Sequence, residues 1–475
     1  MGKIDVRSGS PDKRLHAGHP RLREAVYDAA FAARDGIGVE IEFLAFERGL
    51  SASLGQAGSG LSPGAFIERL AGAAGTGAEV VRDPLNGYPC GLALPNGAKF
   101  CLENGGQIEY ASSPCDGLDS VAAELTAALG LCEAAAGGEI GFLSHGTHPT
   151  LEYRLDALVP NSRYGIMEHF FAPDSIHKWG NYASSIQVNV DVPAGPGWAD
   201  AVKLGFALSR FGYRMFANSA FLHDARFNGP SARLSLVGQM DPTRRAVPAS
   251  VVAAPDFVEA YVQWALDASV IFAGDWPTPE LPRRGELSFR RWLEDGYKGL
   301  YPTPDDWTLH LGTLWPDVRP RRFVELRAND AQPFAFVMAV VAFWQALIQR
   351  PEGREAAWKV LAALPGAGET RESALLNVLT RDESDPLLAD PLWHQALLEA
   401  AAGTLAGPAP RWAEAVRAYM GFLTEKPRYW GSGDAAHFLH RAVSARPTAD
   451  FWAFAEKESR VAAAGTGQLV PLEGA

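Results

Sequence analysis

Five glutamates stand at alternating positions of strand-like segments, and carboxylates spaced that way suit the binding of hard cations. In "GVEIEF", Glu40 and Glu42 are separated by one apolar residue. On a strand both carboxylates then share one face about 7 Å apart, with Val39, Ile41 and Phe43 on the other. In "KFCLENGGQIEYA", Glu103 and Glu109 flank Asn104-Gly105-Gly106. A three-residue hairpin loop there, with a glycine in the left-handed region, sets Glu103 opposite Gln107 and Cys101 opposite Glu109. Phe100, Leu102, Ile108 and Tyr110 then share an apolar face, and Lys99, Cys101, Glu103, Gln107 and Glu109 share the polar one. A two-residue loop would mix the two sets. The pattern recurs in "SIQVNVDV", where Gln187, Asn189 and Asp191 alternate with Ile186, Val188, Val190 and Val192. In "RRFVELRAND", Glu325 and Arg327 share a face backed by Val324 and Leu326.

A single strand of this kind is the ordinary half-solvated strand of an antiparallel sheet. Together the segments differ from solvated faces, which mix Lys, Thr and Ser with acids. Here glutamates combine with amides and one arginine. Like charges facing one another across strands repel, so such a face is poor structural design unless something cationic sits on it. Mg²⁺ takes a few carboxylates together with phosphate oxygens and water, which suits nucleotide chemistry.

The elements that must position these residues read as a mixed chain. Helical periodicity runs over about 20–34, 62–75, 117–137, 198–219, 254–272 and 332–349, then almost without interruption from about 354 to 462. Gly/Pro-rich breaks such as "SLGQAGSGLSPG" and "DWPTPELPRRG" read as loops. The expected architecture is α+β: a catalytic domain over 1–353 and a helical region over 354–475 packed on it. With 475 residues, 47% of them apolar and 21% charged, the chain reads as globular. A net charge of -12 argues against nucleic acid as a partner. Cys90, Cys101, Cys115 and Cys132 show no CxxC spacing and read as reduced thiols of a cytoplasmic protein. No secretory h-region opens the chain, and the apolar run Phe334 to Ile348 is too short for a bilayer span, so no membrane association is expected.

Taken in order, "GVEIEF", "LENGGQIEYASSP", "RYGIMEHFF", "QVNVDV", the "NSAF" to "DPTRR" segment and "HLGTLWPDVRPRRFVELRANDAQP" resemble the plant and proteobacterial type of glutamate–cysteine ligase, within the carboxylate–amine ligases of glutamine-synthetase-like fold. The resemblance covers roughly residues 36 to 345. This chain departs from the family pattern at Asn104, where proline is common, and at Ala328-Asn329-Asp330, where a glycine-alanine-aspartate run is common. The resemblance implies a curved, largely antiparallel sheet with a polar active-site face flanked by helices. It also implies an ATP-dependent reaction in which glutamate is activated as γ-glutamyl phosphate and trapped by the amine of cysteine. By matching motifs, Glu40, Glu42, Glu103, Glu109 and Glu325 would hold Mg²⁺, with Mn²⁺ as an alternative. Arg327 would contact the transferring phosphate, and Arg327 and Glu103 would be the catalytic pair. Gln187 and Asn189, with Arg233 and Arg245, would meet the nucleotide. Arg163, Tyr164 and His148 would lie at the substrate. Partners would be small molecules only, acting on a monomer or homodimer.

Other readings stay open from sequence. The acceptor could be a different amine, since acceptor pockets are small and loop-borne. A metal-dependent hydrolase would usually add histidines as HxH or HExxH, and neither occurs. A non-catalytic relative would have no need to keep all the glutamates. No P-loop or GxGxxG turn is present.

Overall fold

The computed structural model describes residues 14–29, 35–48, 52–55, 59–150, 158–171, 183–222, 225–229, 231–239, 241–275 and 277–431, with 435, 438, 439, 447, 448 and 450 beyond them. Its strands are β1 (Ile37–Glu47), β2 (Ala52–Ser53), β3 (Glu79–Arg82), β4 (Pro89–Ala93), β5 (Lys99–Leu102), β6 (Ile108–Ala111), β7 (Ile140–Leu143), β8 (Ile186–Val190), β9 (Phe221–Leu222), β10 (Ala225–Arg226), β11 (Val318–Pro320) and β12 (Val324–Leu326). β9 and β10 form a separate ribbon. The rest join one ten-stranded sheet in the order β11-β12-β8-β1-β6-β5-β4-β3, with β2 and β7 also pairing β1.

β1 is the hub because it changes partners along its length. Ile37–Ile41 pair with β8 and Glu40–Phe43 with β6, whereas Leu44–Glu47 pair with β7. All these pairings are antiparallel, as the alternating sequence requires. The hairpin between β5 and β6 has the expected three-residue loop: Cys101 faces Glu109, the Glu103 N–H donates to the Gln107 carbonyl at 2.9 Å, and Gly106 takes a φ of 84°. Val39, Ile41 and Phe43 of β1 fall into one buried cluster with Phe100, Leu102, Ile108, Tyr110, Ile186, Val188, Val190, Val324 and Leu326, as their period-two spacing dictates, whereas Leu44 and Phe46 pack in a second cluster with Leu143 and Phe221. Helix Leu118–Ala136 covers this face at β1, and helix Val337–Trp344 covers it at β8.

Two helical expectations are corrected. The helix expected over 20–34 is a single turn, Arg21–Glu24, within the described part of that range, and 30–34 lie outside the described residues. The periodicity there reflects burial of Leu22 and Val26, which tertiary packing satisfies without a longer helix. The long helical stretch after 354 is divided into Arg371–Leu379, Pro386–Ala389, Pro391–Leu405 and Pro410–Trp430, following Pro351–Ala362. Proline opens four of these five helices, at the position where its missing N–H is harmless. Leu397, Val416 and Tyr419 belong to the same buried cluster as the inner face of the sheet. Most of the stretch after 431 lies outside the described residues.

The run after Pro333 folds as Phe334–Phe336, Val337–Trp344 and Gln345–Gln349, wholly buried from Val337 to Gln349. Among the described residues no single helix is long and apolar enough to cross a membrane. Only this run together with Pro351–Ala362, bent by 92°, passes by length and composition.

Candidate active site

The polar face of the sheet forms one wall of a cavity of about 410 Å³. Strand register decides which side chains meet there. Glu42 pairs with Glu109, which pairs with Cys101; Glu40 pairs with Gln187; Glu325 pairs with both Asn189 and Arg319. The cavity is lined by Glu40, Glu42, Glu103 and Glu109, by Gln187 and by Arg163, Tyr164, Arg233 and Arg327. Helix Ser162–Phe171 supplies Arg163, Tyr164, Met167 and Phe171 to the opposite wall, with Trp315 beside them. Of the residues singled out from sequence, these nine are brought together.

Glu40, Glu42 and Glu103 are held by neutral donors. Glu42 accepts from the Ser185 N–H at 2.8 Å and from Gln187 Nε2 at 3.0 Å. Glu40 accepts from Asn189 Nδ2 at 3.4 Å, and Glu103 accepts from the Tyr164 hydroxyl at 3.4 Å. Glu103 and Glu109 share a carboxyl–carboxyl hydrogen bond. Burial, and then repulsion from Glu103, pushes Glu42 up to about 7. Burial, and then the other glutamates, raises Glu109 well above the ordinary range. Burial also raises Glu40 and Glu103. Burial lifts the neighbouring Cys101 thiol to about 12, which leaves it protonated and unreactive.

The β11 and β12 side is opposite in character. Arg319 Nη1 grips both oxygens of Glu325 at 3.0 and 3.1 Å, and Arg327 Nη1 donates to Glu325 and to Gln187 Oε1. Burial works against the charge of Glu325, but Arg319 and Arg327 overcome it and hold the carboxyl down at about 2. Glu325 therefore stands behind Arg327 and does not line the cavity. The resemblance set Glu325 among the metal ligands; in this structure its oxygens are taken up by the Arg319 and Arg327 guanidinium groups. Among the described residues, no three His, Cys, Asp or Glu side chains are gathered into a ready-made metal cluster.

Three further expectations fall away from the cavity wall. Asn189 sits beside Glu40 on β8 without lining the cavity. Arg245 pairs with Asp317 at 3.3 Å and lies over the Tyr213 ring. His148 is buried next to Ser53 and Phe46, with Nε2 3.2 Å from the serine hydroxyl. Burial lowers its pKa to about 3, so the ring is neutral.

Sequence reasoning passed over Arg319, Lys99, Asn104 and Asp330. Arg319 was within reach: continuing the alternation of β12 back across the turn places it opposite Glu325. Asn104 lines the cavity with a buried Oδ1 that has no hydrogen-bond partner. Asp330 lies beyond the end of β12, where alternation no longer applies, and had no local signal.

Residues 37–401 match the glutamate–cysteine ligase family 2. Curated relatives include a glutamate–cysteine ligase, EgtA, of Mycolicibacterium smegmatis, 32% identical over 273 residues. That alignment covers 56% of this chain and 63% of the relative. The chloroplastic glutamate–cysteine ligase of Solanum lycopersicum is 29% identical over 259 residues, covering 52% of this chain and 48% of that protein. The chain thus spans less than two thirds of the length of either relative. Among solved structures, glutamate–cysteine ligase of Francisella tularensis in complex with AMP has a TM-score of 0.47 at 13% identity, with 94% of this chain and 96% of that one covered. The family match takes in every glutamate and arginine that lines the cavity, and the chain belongs to the glutamate–cysteine ligase family 2.

Proposed function

We propose that the chain is an ATP-dependent carboxylate–amine ligase that joins the γ-carboxyl group of L-glutamate to the amine of L-cysteine. The observation that carries this reading is one cavity in which four crowded carboxylates, Glu42 and Glu109 buried and Glu40 and Glu103 partly so, face Arg327 and Arg233. Both halves of the reaction need that combination. A carboxylate oxygen of glutamate attacks the γ-phosphorus of ATP, the bond to the β–γ bridging oxygen breaks, and ADP leaves. The cysteine nitrogen then attacks the acyl carbon and loses a proton, and phosphate departs with the former carboxylate oxygen. Bringing one anion onto another requires fixed positive charge where negative charge develops.

Arg327 supports that role, since its guanidinium is pre-set by Glu325 and Gln187 and lines the cavity. Gln187 ties it to Glu42, so the carboxylate and guanidinium sides are mechanically linked. Arg163 at the exposed rim suits the α-carboxylate of glutamate, with Tyr164 anchored behind it by a 2.9 Å hydrogen bond to the Leu102 carbonyl. The apolar part of the wall, Met167, Phe171 and Trp315, favours a small soft side chain such as that of cysteine.

The donor set fits a hard divalent cation. It offers only oxygens, it includes the orphaned Asn104 Oδ1, and burial and mutual repulsion raise the pKa of its carboxyl groups. Glu40, Glu42, Glu103 and Glu109 would hold Mg²⁺, which when bound would offset phosphate charge. Glu325 would act through the arginines. Residues 1–353 would form the catalytic unit, and the helices after them would brace it.

The reading is tested by phosphate release from ATP. ATP should be consumed only when glutamate, Mg²⁺ and an amine are all present, with γ-glutamylcysteine found by mass spectrometry. A different γ-glutamyl amide as the preferred product would move the protein to another acceptor, and turnover without glutamate would remove the reading altogether.

A further inference from the structure

Arg233 is 6% exposed, yet its charge is only loosely answered. Nη2 donates to the Arg327 carbonyl at 3.2 Å, Nη1 lies 3.6 Å from Asp330 Oδ1, and Nε and Nη1 have no hydrogen-bond partner. A buried guanidinium with unmet donors on a cavity wall is costly unless a ligand completes it. Asp330, by contrast, is wholly buried and densely held. Its Oδ2 accepts from the Asn218 N–H at 2.8 Å, from Ser219 Oγ at 2.6 Å and from Ser231 Oγ at 3.2 Å. Ser219 Oγ also accepts from the Arg233 N–H at 3.1 Å, and Ser231 caps the helix Ala232–Gly238 that carries Arg233. There is no room for the carboxylate to move: a Cβ on Gly146 would fall 2.6 Å from Asp330 Cγ.

We propose that Asp330 is the positioning residue for Arg233, fixing both the guanidinium and the start of its helix so that the unmet N–H groups receive an oxyanion of the substrate beside Arg327. Asp330 does not line the cavity and acts only through Arg233. A direct hydrogen bond would take up one more of its five N–H groups. The longer 3.6 Å pair orients it and leaves its donors for the ligand. The oxyanion is a carboxylate or a phosphate. That choice rests on the ligase reading, where the sources are glutamate and ATP.

The experiment is a double-mutant cycle of Asp330→Asn and Arg233→Met. It is read by the melting shift that glutamate, a non-hydrolysable ATP analogue or inorganic phosphate each produce with Mg²⁺, and by KM for glutamate and for ATP. Asp330→Asn should weaken one anion by roughly tenfold, with KM rising more than kcat falls, and should have no further effect once Arg233 is Met. A rise confined to glutamate assigns the carboxylate, and one confined to ATP and phosphate assigns the phosphate. Additive effects, or a lower melting point with every ligand shift intact, would overturn the proposal. So would a wild-type protein that none of the three anions stabilises, whether or not it turns over ATP. Turnover itself decides the ligase reading separately. Should Asp330→Asn not fold, Ser219→Ala leaves the charge in place and should show the same coupling at about two- to threefold; uncoupled behaviour there overturns the proposal equally.

Discussion

Glu42 and Glu325 are buried glutamates on the same face of one sheet, two strands apart, and their surroundings drive them in opposite directions. Burial raises both. Around Glu42 the next strongest influence is Glu103, so its pKa climbs to about 7. Around Glu325 the next are Arg319 and Arg327, and it falls to about 2. Burial alone therefore does not decide the state of a carboxyl group here; the sign of its neighbours does. The β1, β5 and β6 side is short of positive charge and is completed by something added. The β11 and β12 side is complete in itself, and its arginine is ready before any ligand arrives.

The largest expected effect separates the two sides by activity. Glu103→Gln removes a charge from the deficient side, so turnover should fall by about two to three orders of magnitude. The ligand-free protein should melt at the wild-type temperature or slightly above, because a repulsion is relieved. Most of the shift given by Mg²⁺ with a non-hydrolysable ATP analogue should also vanish, and in wild type that shift is worth about 2.7 kcal/mol at a hundredfold excess over Kd. Melting curves of both proteins with and without ligand check this. Equal ligand shifts would mean that Glu103 is not a ligand of the cation.

Next in size, Glu325→Gln should do the reverse to stability. It strips Arg319 and Arg327 of their shared anion and leaves two mostly buried guanidinium groups without a counter-charge, a loss of about 3–5 kcal/mol. Urea unfolding without ligand measures it. A Glu325→Gln protein as stable as wild type would show that the arginines find other partners and that the contrast between the sides is false.

The pH dependence follows from the same contrast. Between the ordinary glutamate value and about pH 7, native Glu42 keeps a proton that the unfolded chain has lost, so stability falls as pH rises through that window, by about 3 kcal/mol. Glu325 has the opposite sign: native Glu325 stays ionised below the ordinary value, and its contribution is lost only as pH falls toward 2. Without divalent cations, melting temperature should therefore decline from pH 5 to pH 8, and Glu42→Gln should flatten that slope. Excess Mg²⁺ should flatten it too. A slope unchanged by both would place the titration elsewhere.

Much of this was legible because a strand has a period of two. Once Glu40, Glu42, Glu109 and Gln187 were put on polar faces, hydrogen bonding across β1, β6 and β8 could bring them together with little freedom left. The register of the β5–β6 hairpin was legible for the same reason. Alternation carries no information on what stands opposite a side chain from outside the sheet. Arg233 enters from a helix that begins far along the chain, and His148, close to β7 in sequence, is turned into an apolar corner against Phe46. The double role of Glu325 was hidden for a related reason. Its partner Arg319 lies across a tight turn, and whether an arginine there faces solvent or its cross-strand neighbour depends on packing over the strand.

The smallest expected effect concerns the loop that sets the register of the deficient side. Asn104-Gly105-Gly106 places Glu103 against Gln107 and thereby Glu109 against Cys101, and only Gly106 of its two glycines has a positive φ, 84°. A side chain there costs about 1–2 kcal/mol from the left-handed backbone alone. Its Cβ would also meet Pro63 Cγ at 3.0 Å, a contact the ring can relieve only by moving the start of helix Pro63–Ala74. Gly106→Ala should therefore lower the melting temperature by a few degrees, and Gly105→Ala should change it little. Because the loop aims Glu103 and not Arg327, Gly106→Ala should weaken the Mg²⁺-dependent part of the ligand shift while leaving the urea sensitivity of the Arg319–Glu325–Arg327 side close to that of wild type. If Gly105→Ala proves the more harmful of the two, or if the Mg²⁺ response survives a Gly106→Ala protein that has lost stability, the loop is a structural hinge and the aim of Glu103 is set by Tyr164 instead.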